Sequence, residues 1–189
     1  MKCKRNLTMK NDITKYTFSA SDNLFFDANI LVYLDGPIAS VDQNLQDIYN
    51  VAYTKMRKAK SRLFVDIVVL SEFANRYLRL AFNPYFKSRA YGTFKEFRNS
   101  KHGKATISNI CTLMKKRLRT FSLSCSHGDN AWALERLDEF NKLSGDFNDC
   151  IIADTCRING FSLITHDKDM GNFGISIISA NPNLYARTL

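Results

Sequence analysis

The chain has 189 residues, 45% hydrophobic and 24% charged, with a formal net charge of +9. That suffices for one well-buried core and is short for two, and 8 Gly and 3 Pro argue against a linker-rich or repetitive chain. The longest strongly apolar stretch, Leu63 to Leu70, is broken by Asp66 and is far too short to cross a bilayer.

Residues 1–22 are polar and irregular and read as a tail or preamble, with a single domain expected over 23–189. The basic start (Lys2, Lys4, Arg5) is followed by no apolar run of the kind a secretory signal needs. Leu24-Phe25-Phe26 runs apolar into Asp27, which suits a buried parallel strand ending in an acid. Asp35-Gly36-Pro37 is a breaker. From Asp42 to Lys60 the spacing of Leu45, Ile48, Tyr49, Ala52 and Met56 predicts a helix with one polar face. Leu63 to Val69 is β-branched and apolar and reads as a second buried strand. Ser71 is the expected N-cap of a helix from Glu72 to Leu80, ended by Asn83-Pro84.

A basic segment follows, expected to hold two helices that part near His102-Gly103. Phe121 to Cys125 alternates like a short strand, and Asp129 to Leu143 reads as a helix on which Trp132, with Leu134 and Leu137 nearby, belongs to the core. Gly145 to Asn148 reads as a cap before a helix that runs through Arg157 and ends at Asn159-Gly160. Phe161 to Thr165 is a strand ending at His166-Asp167. Ile175 to Ile178 is a last strand, closed by Asn181-Pro182. Apolar strands alternating with helices predict an α/β fold with a parallel sheet covered on both faces, and in open sheets of this kind sites form at the carboxyl ends of strands.

Five cysteines (Cys3, Cys111, Cys125, Cys150, Cys156) with no Cys-x-x-Cys read as thiols in a reducing, cytoplasmic setting. Only three histidines are present, none at ligand spacing from a cysteine, which argues against a zinc site. No Gly-rich phosphate loop occurs.

The charge is unevenly placed. Pro84 to Arg119 holds ten basic residues (Lys87, Arg89, Lys95, Arg98, Lys101, Lys104, Lys115, Lys116, Arg117, Arg119) and one acid, Glu96, while the rest of the chain balances 17 against 17. A basic excess confined to one stretch reads as a docking surface for a polyanion. Tyr85, Phe86, Tyr91, Phe94 and Phe97 are interleaved with it; we read these aromatics as packed and the charges as holding RNA.

Four acids stand where a parallel sheet would gather them. Asp27 and Asp167 follow buried strands, Glu72 opens a helix, and Asp149 sits in the first turn of the helix before the Asp167 strand. Each has a structural reading of its own. Asp27 suits the βα turn as a cap, Glu72 a first helical turn, Asp146 and Asp149 a capping box, and Asp167 a turn. Together on one rim they repel, and a hard divalent cation, Mg²⁺ or Mn²⁺, removes that conflict. Such carboxylates serve to activate water against a phosphodiester. His127 and His166 are weaker candidates for a general base.

The runs Leu24-Phe25-Phe26-Asp27-Ala28-Asn29-Ile30, Leu70-Ser71-Glu72-Phe73, Asp146-Phe147-Asn148-Asp149-Cys150-Ile151-Ile152-Ala153 and Leu163-Ile164-Thr165-His166-Asp167-Lys168-Asp169 occur in that order. As a set they resemble the successive motifs of the PIN (PilT N-terminus) domain family over about residues 22–184. The resemblance implies a three-layer α/β/α fold, here with an extended basic helical segment. It implies a Mg²⁺- or Mn²⁺-dependent endoribonuclease like the VapC-type toxins, with RNA as substrate and a cognate antitoxin and a second copy of the chain as partners. It also implies that Asp27, Glu72, Asp149 and Asp167 are the site acids. Asn29 would then orient Asp27, Thr165 would position water or the neighbouring carboxylate, and Asp146 and Asp169 would stand in support.

Two rivals have distinct signatures. A haloacid-dehalogenase-type phosphatase would use Asp27 as nucleophile but wants a second Asp where Asn29 stands. A catalytically silent RNA- or protein-binding module on the same fold would use the basic segment and ignore metal.

Overall fold

The computed structural model describes residues 8–37, 41–124, 128–142 and 146–185. Six strands form one sheet: β1 (Lys10–Asp12), β2 (Asn23–Phe26), β3 (Arg62–Val65), β4 (Ser122–Leu123), β5 (Ser162–Ile164) and β6 (Ile177–Ser179). Every pairing is parallel, in the order β1-β6-β5-β2-β3-β4. The helices are α1 (Ala28–Asp35), α2 (Gln43–Lys58), α3 (Ile67–Lys87), α4 (Phe94–Asn99), α5 (Lys101–Leu118), α6 (Asn130–Lys142), α7 (Phe147–Asn159) and α8 (Pro182–Tyr185). The architecture is the expected α/β/α arrangement around a parallel sheet.

β2 explains why the sheet is organised around it. Leu24, Phe25 and Phe26 are all buried at 1% exposure or less, and burying a Phe side chain contributes roughly 1.5–3 kcal/mol. Phe25 stacks on Phe161 at 5.9 Å and Phe26 meets Phe121 edge-on at 4.8 Å. From β2 the chain goes first to β3 and β4 on one side, then returns to β5 and β6 on the other. The strand order therefore reverses between β2 and β5, the place where such sheets open a crevice at their carboxyl ends.

Several boundaries differ from the sequence reading. Leu63 to Val69 is not one strand: β3 ends at Val65, Asp66 caps the next helix by accepting from Val68 N at 2.9 Å, and Ile67 begins α3. A short β-branched run carries no period that separates a buried strand from the start of a buried helix. Ser71 is thus not a cap, and α3 runs on through Pro84 to Lys87. Pro84 falls in the last turn, where its carbonyl still accepts from Ser88 N at 3.0 Å. In the basic segment the helices part at Ser100, which caps α5 through Gly103 N, so His102-Gly103 lies inside the first turn. Gly103 is required there, because a Cβ would lie 2.1 Å from Phe97 O.

The preamble also contributes structure: β1 pairs with β6, and Ile13 is 1% exposed. α7 closes as expected on Gly160, in the left-handed region at φ 65. α6 departs from expectation, for none of its residues is buried and Leu134 and Leu137 are exposed. It is tied down by charge instead. Trp132 Nε1 donates to Asp154 Oδ2 at 2.6 Å, and the buried Asp154 also pairs with Arg136 and, at 3.1 Å, with Arg157. Cys111, Cys150 and Cys156 are free thiols; Cys3, Cys125, His127, Leu143 and Gly145 lie outside the described residues. Among the described residues no helix is long and apolar enough to cross a membrane.

Candidate metal centre

Asp27 leaves β2 at the point of strand reversal. It occupies the N-cap position of α1, yet its side chain makes no cap bond. Instead Oδ2 accepts from Asn29 Nδ2 at 2.5 Å and from Thr165 Oγ1 at 2.6 Å. Thr165, wholly buried at the end of β5, also accepts from Asp167 N at 3.0 Å and from Asn29 Nδ2 at 3.2 Å. Asn29 Oδ1 in turn accepts from His166 N at 3.2 Å. One closed set of hydrogen bonds therefore locks the carboxyl ends of β2 and β5 together, with a carboxylate at its centre.

That carboxylate is 5% exposed. Burial drives its pKa above the ordinary value; the Thr165 hydrogen bond opposes this, Asp167 adds to it, and Arg76 opposes it. Two neutral donors and a partly exposed guanidinium do not compensate an ion that has lost its water.

Glu72 stands in the second turn of α3, not at its start. Its pKa is raised to about 7, first by burial and then by Asp27, with Asp146 and Asp149 adding and Arg76 opposing. Arg76, one turn on, pairs with it at 3.3 Å. Asp149 is raised to about 6, again by burial first, with Asp146, Asp27 and Asp167 adding. It also completes the capping box of α7: Asp146 Oδ1 accepts from Asp149 N at 3.0 Å and Asp149 Oδ2 accepts from Asp146 N at 2.9 Å. The capping and clustering readings of Asp149 thus hold together. Asp167 accepts from Asp169 N at 2.9 Å through Oδ1, so Asp169 acts through its backbone.

The arrangement brings Asp27, Glu72, Asp146, Asp149 and Asp167 into one another's field. Among the described residues no three His, Cys, Asp or Glu side chains are drawn together closely enough to ligate one ion. The donor chemistry nevertheless fits a hard divalent cation. All the donors are carboxylate oxygens, and Asp27, Glu72 and Asp149 carry raised pKa values through burial first and neighbouring acids second, with Arg76 opposing the shifts of Asp27 and Glu72.

Two neighbours escaped the sequence reading. Arg76 precedes the basic segment and gave no signal beyond its four-residue spacing from Glu72. Tyr49 looked like one more apolar position on α2. It is buried, its hydroxyl lies 3.0 Å from His166 Nδ1 and accepts from Ala180 N at 3.1 Å, and burial pushes its pKa to about 12. His166 is lowered by burial and packs edge-on against Tyr33 and Tyr49, which makes it part of the support rather than a free base.

In the basic segment, Lys87, Arg89, Lys95, Arg98, Lys101, Lys104, Lys115, Lys116 and Arg119 are exposed. Arg117 is not. It is 8% exposed, forms a two-point ion pair with Asp35 and lies over the Tyr53 ring at 4.7 Å, so it does not belong to a phosphate-binding surface. Of the aromatics, Phe97 is wholly buried and meets Tyr85, Tyr91 and Phe82 at 5.3–5.7 Å, and Tyr85, Tyr91 and Phe94 pack on the core, whereas Phe86 is exposed, against expectation.

A sequence model of the PIN domain matches residues 24–175. Among solved structures, the fold is similar to VapBC2 from Rickettsia felis, bound to a DNA fragment from its promoter. That match has a TM-score of 0.51 and 14% identity and covers 83% of this chain and 98% of the other. It is also similar to PAE2754 from Pyrobaculum aerophilum, with a TM-score of 0.50 and 16% identity over 89% and 97% of the two chains. No functionally curated protein matches the sequence.

Proposed function

Since the chain belongs to the PIN domain family, we propose that it is a Mg²⁺- or Mn²⁺-dependent endoribonuclease, the toxin of a type II toxin–antitoxin pair. The observation that carries the reading is Asp27: a carboxylate at the strand reversal, released from capping, held by Thr165 and Asn29, and with its pKa raised by burial and by Asp167.

Asp27, Asp149 and Asp167 would hold the cation, which when bound supplies the positive charge that activates water and stabilises the leaving oxygen of a phosphodiester. Thr165 and Asn29 fix the Asp27 carboxylate by donating to Oδ2. Glu72, with a pKa near 7, is suited to accept and return a proton at its carboxylate at neutral pH. The nine exposed cations of 84–119 supply the salt-dependent hold on RNA. The relatives of known structure include a VapBC pair, which supports an antitoxin partner here, and we place the reaction in the cytoplasm.

The test is cleavage of mixed RNA by purified protein in Mn²⁺, with and without EDTA, beside Asp27→Asn and Asp149→Asn. EDTA-sensitive cleavage lost in both variants supports the reading; cleavage no better than the variants' defeats it. The second reading, a catalytically silent RNA-binding module, is favoured by one observation. Asp149 is engaged in the capping box, and no three described acids close on a single point. RNA binding in EDTA with no cleavage in Mn²⁺ would establish it.

A further inference from the structure

Beside the acids, between α1 and α3, lies a cleft of about 410 Å³. Asn29, which holds Asp27, forms its near end, and Arg76, paired with Glu72, stands on its wall. The cleft therefore adjoins the acids through two of their hydrogen-bond and ion-pair partners. Its floor is apolar, with Val32, Tyr33 and Leu80. Farther along α3, Arg79 and Asn83 line the same wall. The Arg79 guanidinium lies 4.9 Å from the centre of the Phe94 ring, which holds it in a fixed orientation. Tyr33 is held likewise by stacking on Tyr49 at 5.3 Å and 10°.

We propose that this cleft binds one unpaired nucleotide of the substrate strand next to the scissile phosphate, Arg79 receiving the flanking phosphate and Tyr33 contacting the base. The inference rests on the nuclease reading of the adjoining acids. The size falls within the roughly 300–1,000 Å³ of sites that enclose small organic groups. An apolar floor with a preset aromatic ring and guanidinium groups on one wall is the chemistry that unpaired nucleotides need: a surface for the base and charge-assisted donors for the phosphate. Asp42 also lines the cleft, with Oδ1 accepting from Leu45 N at 3.0 Å. A carboxylate there favours a base that offers an amino group. Arg76 belongs to both places, linking the acid at the reaction centre to the cleft.

The experiment uses the full chain in EDTA, so that binding is read without cleavage. Mixed-sequence RNA and DNA octamers carrying a photoreactive thiopyrimidine are cross-linked, and the adducts are mapped by mass spectrometry. Adducts at Tyr33 or within 76–83 are expected, and Arg79→Gln should weaken octamer binding roughly tenfold. Asn83→Asp, one helical turn beyond Arg79 on the same wall, puts a negative charge in the cleft within pairing reach of Arg79 and should weaken it as well. The ratio of RNA to DNA affinity reads which sugar the cleft takes. Adducts confined to 101–118, with both variants binding like wild type, would overturn the proposal. So would variants that bind RNA normally but lose an amphipathic Glu/Leu probe peptide, which would make the cleft a protein groove. Failure of the nuclease reading looks different: adducts form in the cleft, yet Mn²⁺ elicits no cleavage.

Discussion

Thr165 Oγ1 donates to Asp27 Oδ2 at 2.6 Å across 138 residues of sequence, and so joins the two strands between which the sheet reverses. Replacing Thr165 with Val keeps the shape and removes the donor. The buried carboxylate then loses a partner, which costs about 1–3 kcal/mol. Thr165→Val is expected to lower the urea midpoint and to raise the Mn²⁺ concentration needed for half-maximal cleavage, whereas Thr165→Ser should restore the metal requirement. Equal metal requirements in the two variants would show that the hydroxyl does not position Asp27.

Glu72 and Asp149 give the metal-free protein an unusual dependence on pH. Their folded pKa values, about 7 and about 6, lie above the ordinary 4.5 and 3.8. Between those limits the folded chain holds more protons than the unfolded one. The favourable contribution of these groups is therefore complete below about pH 4 and lost as pH rises through 6 to 7. In EDTA the urea midpoint should fall from pH 4.5 to 7.5, and Glu72→Gln should flatten the fall. Mn²⁺ should raise the midpoint more at pH 7.5 than at pH 5. A midpoint that rises with pH in EDTA, for wild type and Glu72→Gln alike, would contradict this.

Arg117 and its neighbours should separate cleanly. Arg117→Ala leaves Asp35 buried and unpaired, at a cost of about 3–5 kcal/mol, and should leave the salt dependence of RNA binding unchanged in the protein that remains folded. Lys115→Ala with Lys116→Ala should instead weaken binding and reduce the salt slope by about 0.7 per charge removed for a single strand. Denaturation and filter binding across a salt series measure the two effects.

Trp132 is the one tryptophan of the chain, and its indole N–H ends on Asp154. Asp154→Asn leaves Arg136 and Arg157 without their shared carboxylate. The expected result is a shift in tryptophan emission together with a lowered thermal midpoint, because α6 has no buried residue to hold it otherwise. An unchanged spectrum would mean that α6 is anchored elsewhere.

The sequence revealed most where an apolar run ended in an acid. The ends of β2 and β5 and the first turn of α7 were legible because burial and charge change sign within one or two residues there. α3 was misjudged at both ends, since Ile67-Val68-Val69 satisfies a strand and a buried helix equally and Pro84 is tolerated in a last turn. Arg117 could not be told from Lys115 and Lys116 because its partner, Asp35, lies 82 residues away. Arg76 and Tyr49 owe their places beside the acids to how α2 and α3 pack, which no local pattern records. Leu134 and Leu137 show the converse: helical spacing of apolar residues does not say that a core lies beneath them.

α3 carries both Glu72 and Lys87, the first cation of the basic segment, on one continuous helix. The 15 steps from one to the other span about 22 Å at 1.5 Å per residue. For a polymer engaged at both points, the helix acts as a ruler. On the proposed nuclease reading, a stacked strand held at Lys87 and cut beside Glu72 would span about six or seven nucleotides at roughly 3.4 Å each, so shorter stacked fragments would lose one contact or the other.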